Sequence, residues 1–290
     1  MTVILGTRGS ELALTQARLA EAALKEKCGA EVRVEIIRTR GDESAAKPGD
    51  DGRKGLFTAE LERALMERRI DVAVHSAKDL PSEMDEALAI AAVLPRGPVE
   101  DVLITKRPAL ASFGIIATGS VRRQRQLRWL KEPREIIDLR GNVPTRLRKF
   151  AATDWDAIVL ARAGLERLGF SPPQFEFERQ AFFAQVLPVE QFVPAGGQGI
   201  IALQTRSPDA GSMSAVDHRE THLCLRAERE FLRLLQGDCN LPVGAHARHV
   251  SGEIELRAQL FDEDAEPKIG AARGTDPEEV ASRLFEQLRA

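Results

Sequence analysis

Short apolar runs alternate with segments of helical periodicity through the first two-thirds of this 290-residue chain. The runs Val3–Leu5 and Val32–Ile37 flank a stretch of helical period, Ser10–Lys27, and the run Ile70–Val74 follows a second such stretch, Phe57–Arg68. This order is typical of β-α-β units, in which helices join parallel strands and cover the sheet. The sequence therefore predicts an α/β fold for its N-terminal part.

A break at Pro95–Pro98 separates this part from a second set of the same pattern. Strands are predicted at Ile115–Ala117, Ile136–Leu139 and Ala157–Leu160, with helical stretches between them. Beyond the glycine-dense segment Pro194–Gly199, a long helix and an alternating tail predict a small α+β domain. Two α/β lobes in series favour a cleft between them, where ligands bind at strand ends near helix N-termini.

Composition excludes several classes of function. The net charge is −3, aromatic residues make up 5% of the chain and tyrosine is absent, which disfavours a nucleic-acid binder. The sequence contains no apolar run of the roughly 18–20 residues that a membrane span needs and no secretory signal at its start. Three widely spaced cysteines do not form a disulfide framework. We expect a soluble, cytoplasmic protein with no membrane or nucleic-acid partner.

Basic residues concentrate in one region of the second lobe. Between Thr118 and Lys149 the chain has ten Lys or Arg and three Asp or Glu. Guanidinium groups near helix N-termini favour carboxylates and phosphates, but most charge runs are solvated helix faces. Both interpretations stay open for the arginines at strand-to-helix corners, which are Arg8, Arg122, Arg123, Arg140 and Arg146.

Two further segments could carry chemistry. In His75–Pro81 (HSAKDLP) a buried strand opens into an adjacent lysine and aspartate, a pair suited to acid–base work, although an ordinary exposed turn has the same composition. Cys28 and Cys224 lie in predicted helices and are expected to pack. Cys239 lies in a loop bounded by glycines, where a cysteine is either incidental or chemical, and the residues alone do not decide.

Metal and nucleotide sites are not predicted. His218 and His222 have the i, i+4 spacing of a metal pair, but no third ligand accompanies them, which favours a solvated helix face. The segment PAGGQG lacks the GxGxxG spacing of dinucleotide sites, and GDDGRKGLF lacks the GK[ST] of a P-loop.

Taken together and in order, the following segments resemble the porphobilinogen deaminase (hydroxymethylbilane synthase) family over almost the whole chain. They are TRGSELALTQA (Thr7–Ala17), KGLF (Lys54–Phe57), VHSAKDLP (Val74–Pro81), ATGSVRRQ (Ala117–Gln124), LRGNVPTRL (Leu139–Leu147), DAIVLARAGLERLG (Asp156–Gly169), PAGGQG (Pro194–Gly199) and GDCNLPVG (Gly237–Gly244).

The resemblance implies two lobes like those of periplasmic binding proteins and a small α+β C-terminal domain. We expect lobe 1 to comprise residues 1–94 with 193–208, lobe 2 residues 97–190, and the C-terminal domain residues 213–290. The resemblance also implies a monomeric transferase of tetrapyrrole biosynthesis. This enzyme joins four porphobilinogen molecules head to tail, releases ammonia and gives linear hydroxymethylbilane. The resemblance implies, in addition, a dipyrromethane cofactor held by a thioether to Cys239.

The resemblance further implies roles for individual residues. Asp79 matches the family's catalytic carboxylate, which stabilises positive charge on pyrrole nitrogens. The residues matching cofactor-binding positions, besides Cys239, are Ser76, Lys78, Thr118, Ser120, Arg122, Arg123 and Arg140. Those matching substrate-binding positions are Arg8, Ser10, Lys54, Phe57 and Arg146.

The match also marks a loop and several departures. The polar, glycine-rich segment 41–55 is expected to be a mobile lid. Gly119 stands where serine is common in the family, and Asp238 stands where glycine is expected. The stretch between Gly169 and Pro194 is longer and more apolar than expected, and no substrate arginine is carried over to it.

Two other functions remain as alternatives. A non-catalytic, two-lobed anion-binding protein would need the fold and the arginines but neither Asp79 nor Cys239. A nucleic-acid binder using the basic stretch from Thr118 to Lys149 is disfavoured by the net charge and by the few aromatic residues.

Overall fold

The computed structural model describes residues 2–38, 58–108, 112–131, 133–235, 242–261 and 266–289. Within these ranges the chain forms a five-stranded, a six-stranded and a three-stranded sheet. The predicted fold class, two α/β lobes followed by a small α+β domain, is confirmed. None of the helices in these ranges combines the length and hydrophobicity that crossing a bilayer would require.

The first lobe is built on the five-stranded sheet, whose order is β2-β1-β3-β11-β4. Its strands are β1 (Thr2–Thr7), β2 (Glu31–Ile36), β3 (Val72–Ser76), β4 (Leu88–Val93) and β11 (Ile201–Arg206). Strands β1, β2 and β3 are parallel, whereas β11 runs antiparallel to both of its neighbours. The lobe's helices are α1 (Glu11–Cys28) and α2 (Ala59–Met66).

Helix α1 begins and ends where its sequence directs. The hydroxyl of Ser10 accepts a hydrogen bond from the amide of Ala13, and Gly29 ends the helix with φ of 60°. The helix presents small and apolar residues to the sheet. Cys28 lies at its last position and is exposed, so the packing role expected for this cysteine is wrong, whereas Cys224 is buried as predicted.

The second lobe is built on the six-stranded sheet, whose order is β7-β6-β8-β5-β10-β9. Its strands are β5 (Asp101–Thr105), β6 (Ile115–Ala117), β7 (Glu135–Ile137), β8 (Ala157–Ala161), β9 (Gln174–Phe177) and β10 (Gln180–Val186). Its helices are α3 (Val121–Lys131), α4 (Val143–Ala151) and α5 (Arg162–Arg167).

The stretch after Gly169, which the sequence analysis found longer and more apolar than expected, contains a hairpin. Strands β9 and β10 pair antiparallel, with Phe175 opposite Phe182. The Phe182 ring stacks on that of Phe150 with 5.6 Å between centroids. The extra apolar residues therefore complete the core of this lobe.

The C-terminal domain is an antiparallel meander covered by two helices. Its elements are β12 (Val243–Val250), β13 (Glu253–Leu260), β14 (Lys268–Gly274), α6 (Arg219–Leu234) and α7 (Pro277–Arg289). Apolar side chains from both helices and the sheet form one buried core.

A buried ion pair joins the C-terminal domain to the segments that connect the lobes. Glu228, on α6, is fully buried and lies 2.6 Å from the guanidinium of Arg96. The same carboxylate accepts hydrogen bonds from the amides of Gly197 and Ala247. Arg96 lies between β4 and β5, and Gly197 lies between β10 and β11, where the chain passes from one sheet to the other. The contact therefore joins the C-terminal domain to both of these connecting segments.

Candidate active site

A pocket opens where strands β1 and β3 end side by side. The two strands are parallel neighbours, so the residues that follow them meet at one edge of the sheet. Arg8 and Ser10 follow β1, and the single 3₁₀ turn Ala77–Asp79 follows β3. The pocket is lined by residues that include Arg8, Ser10, Ser76 and the exposed Asp79. Four of the residues predicted for this site therefore line one pocket, and Lys78 lies next to Asp79 in the chain.

The glycine-dense segment supports this turn by close backbone contact. Gly197 has φ of 74°, and a Cβ atom there would lie 2.8 Å from the backbone of Ala77 and Lys78. Gly199 has φ of 87°, and a Cβ atom would lie 2.7 Å from the carbonyl oxygen of Gly97. Only glycine fits both positions, which explains PAGGQG without any nucleotide.

A buried glutamine that the sequence analysis missed holds one wall of the pocket. The amide of Gln16, on α1, donates to the hydroxyl of Ser76 at 2.8 Å and accepts from it at 3.2 Å. Gln16 is 3% exposed. A polar side chain on the apolar face of an amphipathic helix was the signal that could have revealed it.

His75 contributes a neutral imidazole to the same wall. Its Nε2 lies 2.9 Å from Oε1 of Gln204, and burial lowers the pKa of His75 to about 4, with Arg8 adding to the effect. The charges available in this pocket are therefore those of Asp79 and the surrounding cations.

Charged groups of the second lobe lie within electrostatic range of the Lys78–Asp79 turn. Burial lowers the pKa of Lys78 to about 8, with Asp79 opposing the change and Arg123 and Arg146 adding to it. Burial likewise lowers the pKa of Arg146 to about 10, and Arg123 and Arg140 contribute. Lys78 of the first lobe and Arg123 and Arg146 of the second lobe are therefore close enough for their charges to interact.

Arg122 and Arg123 are buried, with their guanidinium groups bound by one carboxylate. Asp101, at the start of β5, is fully buried and lies 2.7 Å from each of them. Arg122 also donates to Gln126, and Arg123 to the carbonyl of Val159. Both guanidinium groups are therefore bound by groups of the protein itself.

The predicted hydroxyl residues and Arg140 have local partners. The hydroxyl of Thr118 accepts from the amide of Ser120, and that of Ser120 accepts from the amide of Arg123 at the start of α3. Arg140 donates to both oxygens of Asp138 at 2.9 Å. A Cβ atom at Gly119 would lie 2.9 Å from Nε of Arg140, so this departure from the family pattern has a packing reason.

Arg167, which the sequence analysis did not select, is a cation next to the glycine-dense segment Pro194–Gly199. Its Nη2 donates to the carbonyl of Gly199 at 2.6 Å, and burial lowers its pKa to about 10. It lies on α5, which contacts α1 of the first lobe. Lys54, Phe57, Cys239 and Asp238, together with the loop 41–55, lie outside the described residues.

Two family models together match almost the whole chain. The model described as porphobilinogen deaminase, dipyromethane cofactor binding domain, matches residues 3–214, and the model of the porphobilinogen deaminase C-terminal domain matches residues 222–290. The chain belongs to the porphobilinogen deaminase family. This family polymerises porphobilinogen into hydroxymethylbilane with a dipyrromethane cofactor.

Several curated porphobilinogen deaminases align over nearly their full length. The protein of Pelotomaculum thermopropionicum is 40% identical over 301 residues, covering 99% of this chain and 93% of the relative. That of Syntrophomonas wolfei is 40% identical over 299 residues, covering 99% and 94%. That of Chloroherpeton thalassium is 40% identical over 276 residues, covering 92% and 85%.

Solved structures with low sequence identity also match. The periplasmic VFT2 domain of Bordetella pertussis BvgS is 15% identical with a TM-score of 0.43, covering 74% of this chain and 85% of that chain. The Salmonella typhimurium periplasmic binding protein STM4351 is 9% identical with a TM-score of 0.40, covering 74% and 90%.

The residues present fit the family's dipyrromethane. This group carries acetate and propionate side chains, and part-buried Lys78 and Arg146 are cations whose desolvation a bound carboxylate would offset. The exposed carboxylate of Asp79 suits the N–H groups of pyrrole rings.

Proposed function

We propose that the cleft around Asp79 joins four porphobilinogen molecules head to tail, with Asp79 as the catalytic residue. The observation that carries this proposal is the convergence of Lys78 and Asp79 from one lobe with Arg123, Arg140 and Arg146 from the other. An exposed carboxylate close to several cations suits a substrate that has two carboxylates and develops positive charge on its ring.

The role of Asp79 follows from the charge that develops in the reaction. The aminomethyl carbon loses ammonia, a carbon–carbon bond to the next ring forms, and a proton leaves the attacked pyrrole carbon. When bound, the dipyrromethane supplies the pyrrole carbon to which the first substrate is joined. Asp79 stabilises the cationic pyrrole nitrogen of the substrate and accepts or returns a proton, as a fixed carboxylate can.

The cations bind the carboxylate arms and hold the rings over Asp79. Arg8, Ser10 and Arg146 bind the substrate, and Lys54 and Phe57 are proposed for the same role. Ser76, Lys78, Thr118, Ser120 and Arg140 bind the cofactor. Arg122 and Arg123 bind the cofactor too, and both are held by the carboxylate of Asp101. Bidentate guanidinium contacts suit this task.

We also propose domain boundaries, an oligomeric state and a cellular location for the chain. Lobe 1 comprises residues 1–94 with 193–208, lobe 2 residues 97–190 and the C-terminal domain residues 213–290. The strand order supports this division, because β11 returns to the sheet of β1 to β4. The enzyme is a cytoplasmic monomer that needs no nucleic-acid partner, in line with its charge and cysteine content.

Cys239 is the proposed anchor of the cofactor, and intact-mass measurement tests it. We expect the purified chain, or the apo-protein after incubation with porphobilinogen, to be heavier by two linked pyrrole units. The Cys239→Ser variant should keep its unmodified mass, because a thioether needs the thiol sulfur. Cys28→Ser is the matched control and should gain the same mass as the wild type. An unmodified wild type after incubation, or a modified Cys239→Ser chain, would contradict the assignment.

Cofactor uptake is expected to fall as the pH rises through 8. The pKa of Lys78 is lowered to about 8, so its ammonium is largely charged at pH 7 and largely neutral at pH 9. The rate of mass gain by apo-protein should therefore drop severalfold between these pH values. In the Lys78→Arg variant the guanidinium stays charged, and the pH dependence should flatten. An equal drop in both proteins would exclude Lys78 as its source.

A further inference from the structure

A second cavity, of about 260 Å³, lies between the first lobe and the C-terminal domain. Ser82, Met84 and Ile90 line it from the lobe, and residues of α6 line it from the other side. None of its described lining residues belongs to the pocket around Asp79. It is therefore a separate space, large enough for one small ring with a short polar arm.

Three arginines of α6 line this cavity, and they differ in how their charges are met. Arg226 contacts Glu278 through two donors, with a shortest distance of 2.8 Å. Arg233 contacts Glu230 at 2.7 Å. The guanidinium groups of Arg226 and Arg233 thus each have a carboxylate partner. Arg229, between them on the same helix, differs from both because it donates to a neutral acceptor, the carbonyl of Ser82, at 3.0 Å.

Arg229 is a part-buried cation whose hydrogen bond, in the described part of the chain, does not go to a carboxylate. Glu230 and Glu278 also line the cavity but are paired with Arg233 and Arg226. Burial alone lowers its pKa to about 10, and no neighbouring acidic group in the described ranges opposes the change. A cation taken out of water without a counter-charge is costly, and a bound anion offsets that cost. One guanidinium edge donates to Ser82, and the planar fork has donors to spare for a carboxylate.

The other wall of the cavity is apolar. Met84, Ile90 and Leu225 line it together with the charged residues. A bare inorganic anion would leave these side chains without contact, whereas a flat ring bearing an anionic group would cover them. The chemistry of the lining thus selects a small amphipathic anion over phosphate.

We propose that this cavity is a second small-molecule site, which binds a single-ring carboxylate through the guanidinium of Arg229. The occupant would contact two structurally sensitive parts of the chain. The Ser82 carbonyl lies three residues after Asp79, and α6 ends at Leu234, five residues before Cys239. The site is thus placed to affect both the catalytic turn and the anchor loop.

Methyl NMR of the full-length holoenzyme gives a test that reports on this cavity and not on the arginines near Asp79. The chain has four methionines, and Met84 is the one that lines the cavity, so ¹³C-methyl labelling yields a local reporter assigned with Met84→Leu. Benzoate is the probe, and benzamide is its neutral analogue of the same shape. We expect benzoate to shift the Met84 signal saturably, while the signals of Met66 and Met213 stay in place.

Three results would overturn the proposal. The first is a Met84 signal that benzoate leaves unmoved, and the second is an equal shift with benzamide. The third concerns the variants: Arg229→Gln should weaken benzoate binding about tenfold, the value of one charge-assisted hydrogen bond. Arg226→Gln, which removes a paired arginine from the same helix, should change it less than threefold. If both variants lost the same affinity for benzoate, the loss would reflect the net positive charge of the helix and not a contact with Arg229. If Arg229→Gln loses the native Met213 signal, the comparison of benzoate with benzamide decides alone.

Discussion

Replacing Asp79 with alanine is expected to lower turnover of porphobilinogen by about 10²–10³-fold, the usual cost of losing one group that stabilises transition-state charge. The cofactor should remain attached, because the proposed anchor, Cys239, and the proposed carboxylate-binding cations are other residues. The fold should be unaffected. Asp79 is exposed, and its removal takes away the attraction that opposes the desolvation of part-buried Lys78, so the free energy of unfolding should fall by less than about 1 kcal/mol.

The measurement combines steady-state turnover with the intact mass of each variant. Glu83→Gln is the control, because it removes an exposed carboxylate four residues further along the same segment. It should keep near-normal turnover. Asp79→Asn should lose as much activity as Asp79→Ala, since an amide keeps the shape but not the charge. Turnover of Asp79→Ala within threefold of the wild type would exclude Asp79 as the catalytic residue.

Local order in this fold was predictable from short-range pattern. Helix α1 followed from the apolar period and its two caps, Ser10 and Gly29, which lie within reach of the helix they limit. Strand β3 and the turn after it followed from an apolar run ending in polar residues and proline. These features depend on neighbours in sequence, so the residues themselves carry the information.

Features that depend on distant partners were not predictable in the same way. The hairpin of β9 and β10 fills the lobe 2 core with phenylalanines, and its aromatic partner Phe150 lies some 30 residues earlier. The close approach of Gly197 to the Ala77–Lys78 backbone is another example, because the residues next to Gly197 in sequence do not predict this contact. Such constraints appear only once the topology is fixed.

The arginines show the same limit within the candidate site. Their positions at strand-to-helix corners left anion binding and a solvated helix face both open, and in the structure Arg146 lies within electrostatic range of Arg123 and Arg140. The sequence could not show that Arg122 and Arg123 share a buried counter-ion. Asp101 opens an apolar run more than twenty residues away and was not selected. Pairing across that distance is a property of the sheet and not of any motif.

Replacing Asp101 with asparagine is therefore expected to be strongly destabilising, by about 3–5 kcal/mol at pH 7, because it leaves buried charges without their partner. The carboxylate meets both guanidinium groups at 2.7 Å and also accepts from Gln198 at 3.1 Å. Denaturant unfolding of the wild type and the variant measures the difference. Asp138→Asn is the control, since it breaks an exposed pair with Arg140 and should cost less than about 1 kcal/mol.

The pH dependence of that difference identifies its source. Burial alone would raise the pKa of Asp101, but Arg122 and Arg123 outweigh it and lower the pKa to about 2. A carboxylate with a lowered folded-state pKa contributes its stability above its unfolded pKa and loses it as the pH falls through the folded one. The penalty of Asp101→Asn should thus be full from pH 5 to 7 and shrink towards pH 2. A penalty independent of pH over that range would assign it to lost packing, and the two arginines would need another counter-charge to explain their burial.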